Sequence, residues 1–462
     1  MQGQIRKKTN VYYQSIKTLA FLIVSVLVFF GVYTFDGWTQ VFVFTFYCIY
    51  VTFQEPKYLS HPWVWFTAFF LLYSISHPGL VLLGRYEIFH DLYQYDENVA
   101  NILRYHFIAL ISFLSGTLLL NRENDISKEV NLFIKFKKHD NFRDIAWFLL
   151  YTLLTLTAIY IVGILGSGYT SKIELVNAGN NPFYLRLGSF YNLLTLVGIL
   201  IILLNFKLRK TKNNYLLISL IIFWTSVSFF VSGERDHLFR FILVYFVFLY
   251  DLVKKFRLSS FYFLLVAFLA LLPTTQILKG LLLGSKEFVF EKYDLSTFFN
   301  TEFQAAGRNL HHILLAKQDI FWGQTLLWDL RRAFSSDLLN IEASSTNNWF
   351  HDVFRVHEGI QSSTGWGFSL VALGYINFGI CGIILIFFLF GLISKYFYLH
   401  RFKNIYWYVY YLFYITVAIY SIRQDLAVYI SMNLKTVLLP LLIIYGMTKF
   451  KNILIDKQIS NV

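Results

Sequence analysis

Long apolar runs separated by short charged breaks dominate this chain. Twelve stretches approach or exceed the roughly 17–25 residues that cross a hydrocarbon core as a helix: 16–33, 38–53, 62–83, 104–120, 145–166, 184–205, 215–232, 237–253, 259–278, 367–394, 406–422 and 426–448. The shorter ones, 38–53 and 237–253, rely on interfacial aromatic residues or a locally thin bilayer. One interval breaks the rhythm. The pattern therefore predicts three parts: nine spans within 1–278, a long polar-apolar segment over 279–366, and three spans with a tail over 367–462. The expected fold is an all-α, polytopic integral membrane protein.

The breaks carry charge unevenly. Lys and Arg gather in the N-terminal arm (Arg6, Lys7, Lys8), in 121–144, in 206–214, in 254–258, in 395–405 and in the tail. With twelve crossings these all fall on one side, and cytoplasmic loops are the ones that collect positive charge. Both termini are thus expected in the cytoplasm, with 279–366 outside as one large extracytoplasmic loop. In that loop Asp and Glu outnumber Lys and Arg, so the net charge of +13 belongs to the cytoplasmic face. This basicity reads as topology and attraction to anionic membrane lipids, not as nucleic-acid binding.

Composition agrees. Hydrophobic residues make up 56% of the chain and aromatic residues 20%, against roughly 45–50% apolar in a soluble domain. Cys48 and Cys381 both lie inside apolar runs, which leaves no disulfide for the outer loop. The first run follows a basic arm but lacks a small-residue cleavage site, so it reads as an uncleaved span. The two halves show no repeat of the kind common in transporters.

Within 279–366, apolar pieces at Ile313–Leu315, Ile320–Trp322, Leu326–Trp328 and Trp349–Phe350 predict short helices lying in the membrane plane. Polar residues beside them could carry chemistry. Arg308, His311 and His312 fall at i, i+3 and i+4, on one side of a helix, and His351, Arg355 and Glu358 stand at i, i+4 and i+7. Arg331 and Arg332 are adjacent, and Arg423 with Asp425 occupies the tight turn between the last two spans. Glu234, Arg235, Asp236 and His237 crowd four ionisable groups into another short outer turn, where unpaired charges gain little structurally. Together these residues could form a cationic, histidine-containing pocket; taken singly, each also fits a solvated or salt-bridged surface. Lys435 lies nine residues beyond Leu426, about 14 Å into the last span. It fits either a polar cavity or pairing and snorkelling.

Phosphate-cradling Gly-rich loops, HExxH, CxxC, Gly-x-Ser-x-Gly and outer Asp-x-Asp motifs are all missing. ATP-driven or metal-dependent chemistry is disfavoured, and a substrate that carries its own activated bond fits better. No cofactor or metal is expected.

Ser232-Gly233-Glu234-Arg235-Asp236-His237 followed by Phe239-Arg240-Phe241, then Gly365-Trp366-Gly367-Phe368-Ser369 and Tyr375-Ile376-Asn377-Phe378-Gly379, together with the single large outer loop, resemble the Wzy family of O-antigen and capsular polysaccharide repeat-unit polymerases. The resemblance implies a glycosyltransferase at the bacterial plasma membrane that joins undecaprenyl-diphosphate-linked oligosaccharides on the extracytoplasmic side, with a chain-length regulator as a further partner. The leaving diphosphate supplies the driving force. Arg suits a diphosphate through its bidentate fork, which nominates Arg235 and Arg308, with Arg423 behind them. His311, His312 or Glu302 would be the general base. Glu234, His237, Arg240, Arg331, Arg332, His351, Arg355, Arg423 and Lys435 would contact substrate. Where family members often carry an acid before the Tyr-x-Asn-Phe-Gly stretch, this chain has Ala372-Leu373-Gly374. Two alternatives stand beside the polymerase: an O-antigen ligase of the same chemistry, and a flippase for lipid-linked sugars.

Overall fold

A computed structural model describes residues 19–54, 59–88, 91–120, 140–168, 182–207, 211–232, 236–253, 303–334, 344–355 and 367–460. The predicted span at 259–278 lies outside the described residues, as do Glu234, Arg235, Glu302 and Glu358.

The described chain is helical apart from a short antiparallel ribbon, Glu87–Ile88 with Asp91–Leu92. Polar side chains in the breaks start the helices. The ring of His61 accepts the Trp63 N–H ahead of Pro62–Leu82, with Pro62 in the first turn, where its missing N–H costs nothing. Asp96 caps Glu97–Leu119, Ser369 caps Leu370–His400, Asn404 caps Ile405–Ser421, and Asp425 caps Leu426–Ser431. Among the described residues seven helices are long and apolar enough to cross a membrane: Pro62–Leu82, Glu97–Leu119, Asp144–Gly166, Phe183–Asn205, Asn214–Val231, Leu370–His400 and Leu426–Lys451. Leu19–Thr34, Trp38–Gln54 and Ile405–Ser421 are shorter apolar helices.

The centre of the bundle is the contact between Glu97–Leu119 and Leu370–His400. Side-chain atoms added at Gly116 would meet the Phe388 carbonyl, and at Gly391 the Phe113 carbonyl. Each glycine thus lets the other helix's backbone come close, as small residues do in membranes, where lipid removes the hydrophobic drive for helix association. Phe66 stacks on Phe113 beside this contact with ring centroids 3.6 Å apart.

The span expected at 367–394 is not one straight rod. Phe378 (φ −145°, ψ 25°) and Gly379 (φ 59°, ψ −141°) interrupt Leu370–His400. In an unbroken helix Gly374 and Gly382 would stand about 12 Å apart along the axis. Here a Cβ on Gly374 would fall 2.8 Å from the Ile383 Cα, and one on Gly382 would meet the Gly374 carbonyl. The chain therefore turns back on itself, and only glycine at both places permits it. Gly379 takes the positive φ that a branched side chain would resist.

Polar contacts sort the breaks into two ends. At one end, Phe368 N–H donates to the Arg423 carbonyl (2.7 Å), Leu370 N–H to Ile422 (3.1 Å), and Phe321 N–H to Ile376 (2.7 Å). At the other, Lys395 Nζ lies 3.1 Å from His61 Nε2, and Tyr411 donates to the Ser60 carbonyl (2.5 Å).

Candidate functional site

The first end holds Arg308, His311, His312 and Arg423. Gln304–Leu315 does not lie flat on the surface as expected for the outer loop: Ala305, Ala306, Gly307 and Asn309 through Ile313 are buried. Gly307 sets the depth, since a Cβ there would sit 2.8 Å from the His77 Cβ of Pro62–Leu82. That approach brings His77 Nε2 to 2.9 Å from His311 Nδ1. The β-ribbon region adds aromatic walls. Tyr86 lies edge-on to His77 (4.6 Å between centroids) and Tyr93 edge-on to His311 (4.7 Å). The Tyr86 hydroxyl is 3.2 Å from His312 Nε2, and Tyr93 donates to Asp96 at 2.6 Å. Gln324–Phe334, by contrast, keeps Leu327, Leu330 and Phe334 exposed, as an in-plane helix would.

Electrostatics make His311 neutral at physiological pH. Burial, then the neighbouring His312, push its pKa down to about 4, and the Asp96 carboxylate only partly opposes them. Asp96 itself stays below its ordinary range: burial works against ionisation, but hydrogen bonds from Tyr93, Val99 and Asn98 and the field of His311 outweigh it.

Gly367 links the segments that carry two of the nominated arginines, through the Asn309 side chain on one side and the Arg423 backbone on the other. Arg308 Nε donates to Asn309 Oδ1 (3.2 Å), and Asn309 Nδ2 donates to the Gly367 carbonyl (3.1 Å). Gly367 has φ 65°, and a Cβ there would come within 2.5 Å of the Arg423 carbonyl. The Arg423 guanidinium lies 4.8 Å from the Tyr420 ring centroid. Arg308 and Arg423 are both half-buried, so each can present charge to a ligand.

Arg240 is buried, donates to Asn192 (2.7 Å) and pairs with Asp236 (3.5 Å). His237 stacks on Tyr191 with centroids 5.1 Å apart. Both sit in the interior at the start of Asp236–Phe248. Arg331 and Arg332 are exposed near the end of Gln324–Phe334. His351 is half-buried at the start of the π-helical stretch His351–Arg355, and the side chain of Arg355 lies outside the described residues. Lys435 falls in a second π-helical stretch, Met432–Leu438, and is exposed rather than turned into the bundle.

Sequence reasoning overlooked a carboxyl pair that ties this end together. Asp329 accepts the N–H groups of Thr346 (2.7 Å) and Leu426 (3.1 Å). Asp425 accepts those of Val428 (2.9 Å) and Asn347 (3.2 Å). Burial and then the Asp425 charge raise Asp329 to about 7. A carboxyl raised in the folded state binds its proton more tightly there than in the unfolded chain, so stability falls as pH rises from about 4 to about 7 and then levels. Thermal unfolding of the solubilised protein is expected at lower temperature at pH 8 than at pH 5. The dependence should shrink in Asp425→Asn, where the like charge is gone.

His77 was also missed. It sits in an apolar run, where a histidine looks like core, and its meaning comes from the glycine across the gap. The Ser-Ile-Ser-His-Pro-Gly sequence at 74–79 was the available signal: several polar residues in the middle of a span.

A bundle of long apolar helices defines a polytopic helical membrane protein. No family model, curated protein or solved structure matches the chain.

Proposed function

We propose that the protein is a glycosyltransferase of the repeat-unit polymerase type, acting on undecaprenyl-diphosphate-linked oligosaccharides at the outer face of a bacterial plasma membrane. The reading includes twelve crossings with both termini cytoplasmic, which puts the His311 end outside. The observation that supports it is that Arg308, one turn before a neutral histidine, is tied through Asn309 to Gly367, against which the Arg423 backbone packs. Such a transfer needs cations for the departing diphosphate and a base for the accepting hydroxyl. Arg308 and Arg423 supply the first and His311 the second, while Arg235 is a further candidate for the diphosphate. Among the described residues no cluster of three or more His, Cys, Asp or Glu is arranged to hold a metal.

The test is incubation of purified protein in nanodiscs with undecaprenyl-diphosphate-linked repeat units. A ladder of longer lipid-linked glycans is expected, unaffected by EDTA and abolished in Arg235→Ala. A strict divalent-metal requirement would overturn the arginine mechanism. Transfer to a different acceptor without a ladder would make the protein a ligase. Movement of intact units across liposomes would make it a flippase.

A further inference from the structure

Both His77 and His311 are fully buried, and each keeps one ring nitrogen, His77 Nδ1 and His311 Nε2, without a hydrogen-bond partner among the described residues. Their other nitrogens face each other at 2.9 Å. A neutral imidazole has one donor and one acceptor, so the shared contact fixes both tautomers at once. If His311 Nδ1–H donates, His311 Nε2 carries a lone pair. If His77 Nε2–H donates, His311 Nε2 carries a proton and cannot act as a base.

The surroundings choose between these. Asp96 acts on His311, whereas the groups acting on His77 are His311, His312, Arg308 and His106, with no carboxylate among them. A transferred proton is therefore better placed on His311. Once His311 is an imidazolium its Nδ1–H can only donate, and His77 Nε2 is the acceptor it meets. His106 is settled separately: its Nδ1 lies 2.7 Å from the Ile102 carbonyl, which can only accept.

We infer that His77 is a positioning residue that holds His311 in the Nδ1–H tautomer and so leaves His311 Nε2 as the proton acceptor of the reaction. This rests on the glycosyltransferase reading. In the step, the acceptor sugar O–H bond breaks and its proton joins His311 Nε2. The oxygen electron pair bonds to the anomeric carbon, whose bond to the diphosphate oxygen breaks, and the lipid diphosphate leaves with that pair. The resulting imidazolium keeps its Nδ1–H on His77. The role is that of an orienting partner to a catalytic histidine, here filled by a neutral ring in place of a carboxylate.

Two readouts test it on the full chain in nanodiscs. The first is ¹⁵N NMR of histidine-labelled protein, which reports the tautomer without any turnover. His311 is expected with Nδ1 protonated and Nε2 bare, and with that preference lost in His77→Phe. His311 found protonated at Nε2 in the unaltered protein would overturn the inference and leave the glycosyltransferase reading standing. The second is the pH profile of ladder formation. His77→Phe should lower the rate about 100-fold or more. His77→Gln, whose carbonyl can still accept from Nδ1–H, should retain most of it, and His77→Asp should move the acid limb to higher pH. Equal losses in His77→Gln and His77→Phe, with both folded, would sink the proposal. Absence of any ladder from the unaltered protein would count against the polymerase reading, and the NMR result would still decide the pair.

Discussion

A Gly391→Val variant is expected to lose the native bundle, unfolding many degrees below the unaltered protein or showing no cooperative transition. At Gly391 the first added carbon already collides with the Phe113 carbonyl, a backbone atom fixed within Glu97–Leu119 that cannot swing aside. Relief requires the two helices to separate. Separation undoes the reciprocal contact of Gly116 with Phe388 and the stacking of Phe66 on Phe113. Overpacking costs about 1–3 kcal/mol where side chains can adjust, and a backbone obstacle puts this site at or above the upper end. Heating the solubilised protein and following the monodisperse fraction by size exclusion measures it. Gly446→Val is the control, because nothing stands within 4 Å of a Cβ there. Equal behaviour of the two variants would mean that the central helix pair does not hold the fold together.

Arg308→Ala should leave the bundle intact and reduce ladder formation by about 100- to 1,000-fold, the usual effect of deleting one preorganised donor to developing negative charge. Arg308 is half-buried and donates to its neighbour Asn309, so truncation removes less packed surface than a core deletion would. Asn309 and Gly367 would stay joined, which keeps Arg423 in place. Arg308→Lys should recover only part of the rate, since an ammonium cannot reproduce the planar fork on a diphosphate. An unaltered ladder in Arg308→Ala would remove this residue from the leaving-group site.

Local pattern made much of this arrangement readable before any coordinates. Apolar runs mark the helices, because a helix in lipid must satisfy its own backbone within one segment. The i, i+3, i+4 spacing of Arg308, His311 and His312 placed three polar groups together because helical period is a local property. What escaped depends on distant partners. His77 gains meaning only from Gly307, more than two hundred residues later, and Asp329 only from Asp425. The reversal at Phe378–Gly379 hid inside an unusually long apolar run, where excess length was its one sign. The charged turn before Asp236 gave no sign of the partners that Arg240 and His237 find in Asn192 and Tyr191, which come from a distant helix.

The backbone bonds joining Phe368 to Arg423 and Leu370 to Ile422, with Leu426 held by Asp329, also set an order of events during synthesis. Helices at the start of the chain can insert and pair as they emerge, but this end of the bundle needs residues from the final turn between spans. Until about residue 428 has left the ribosome, His311 can meet His77 while Phe368 and Leu370 still lack their backbone partners. Chains released before that point would therefore lack the bonds that close this end of the bundle, which is completed only as the last helix enters the membrane.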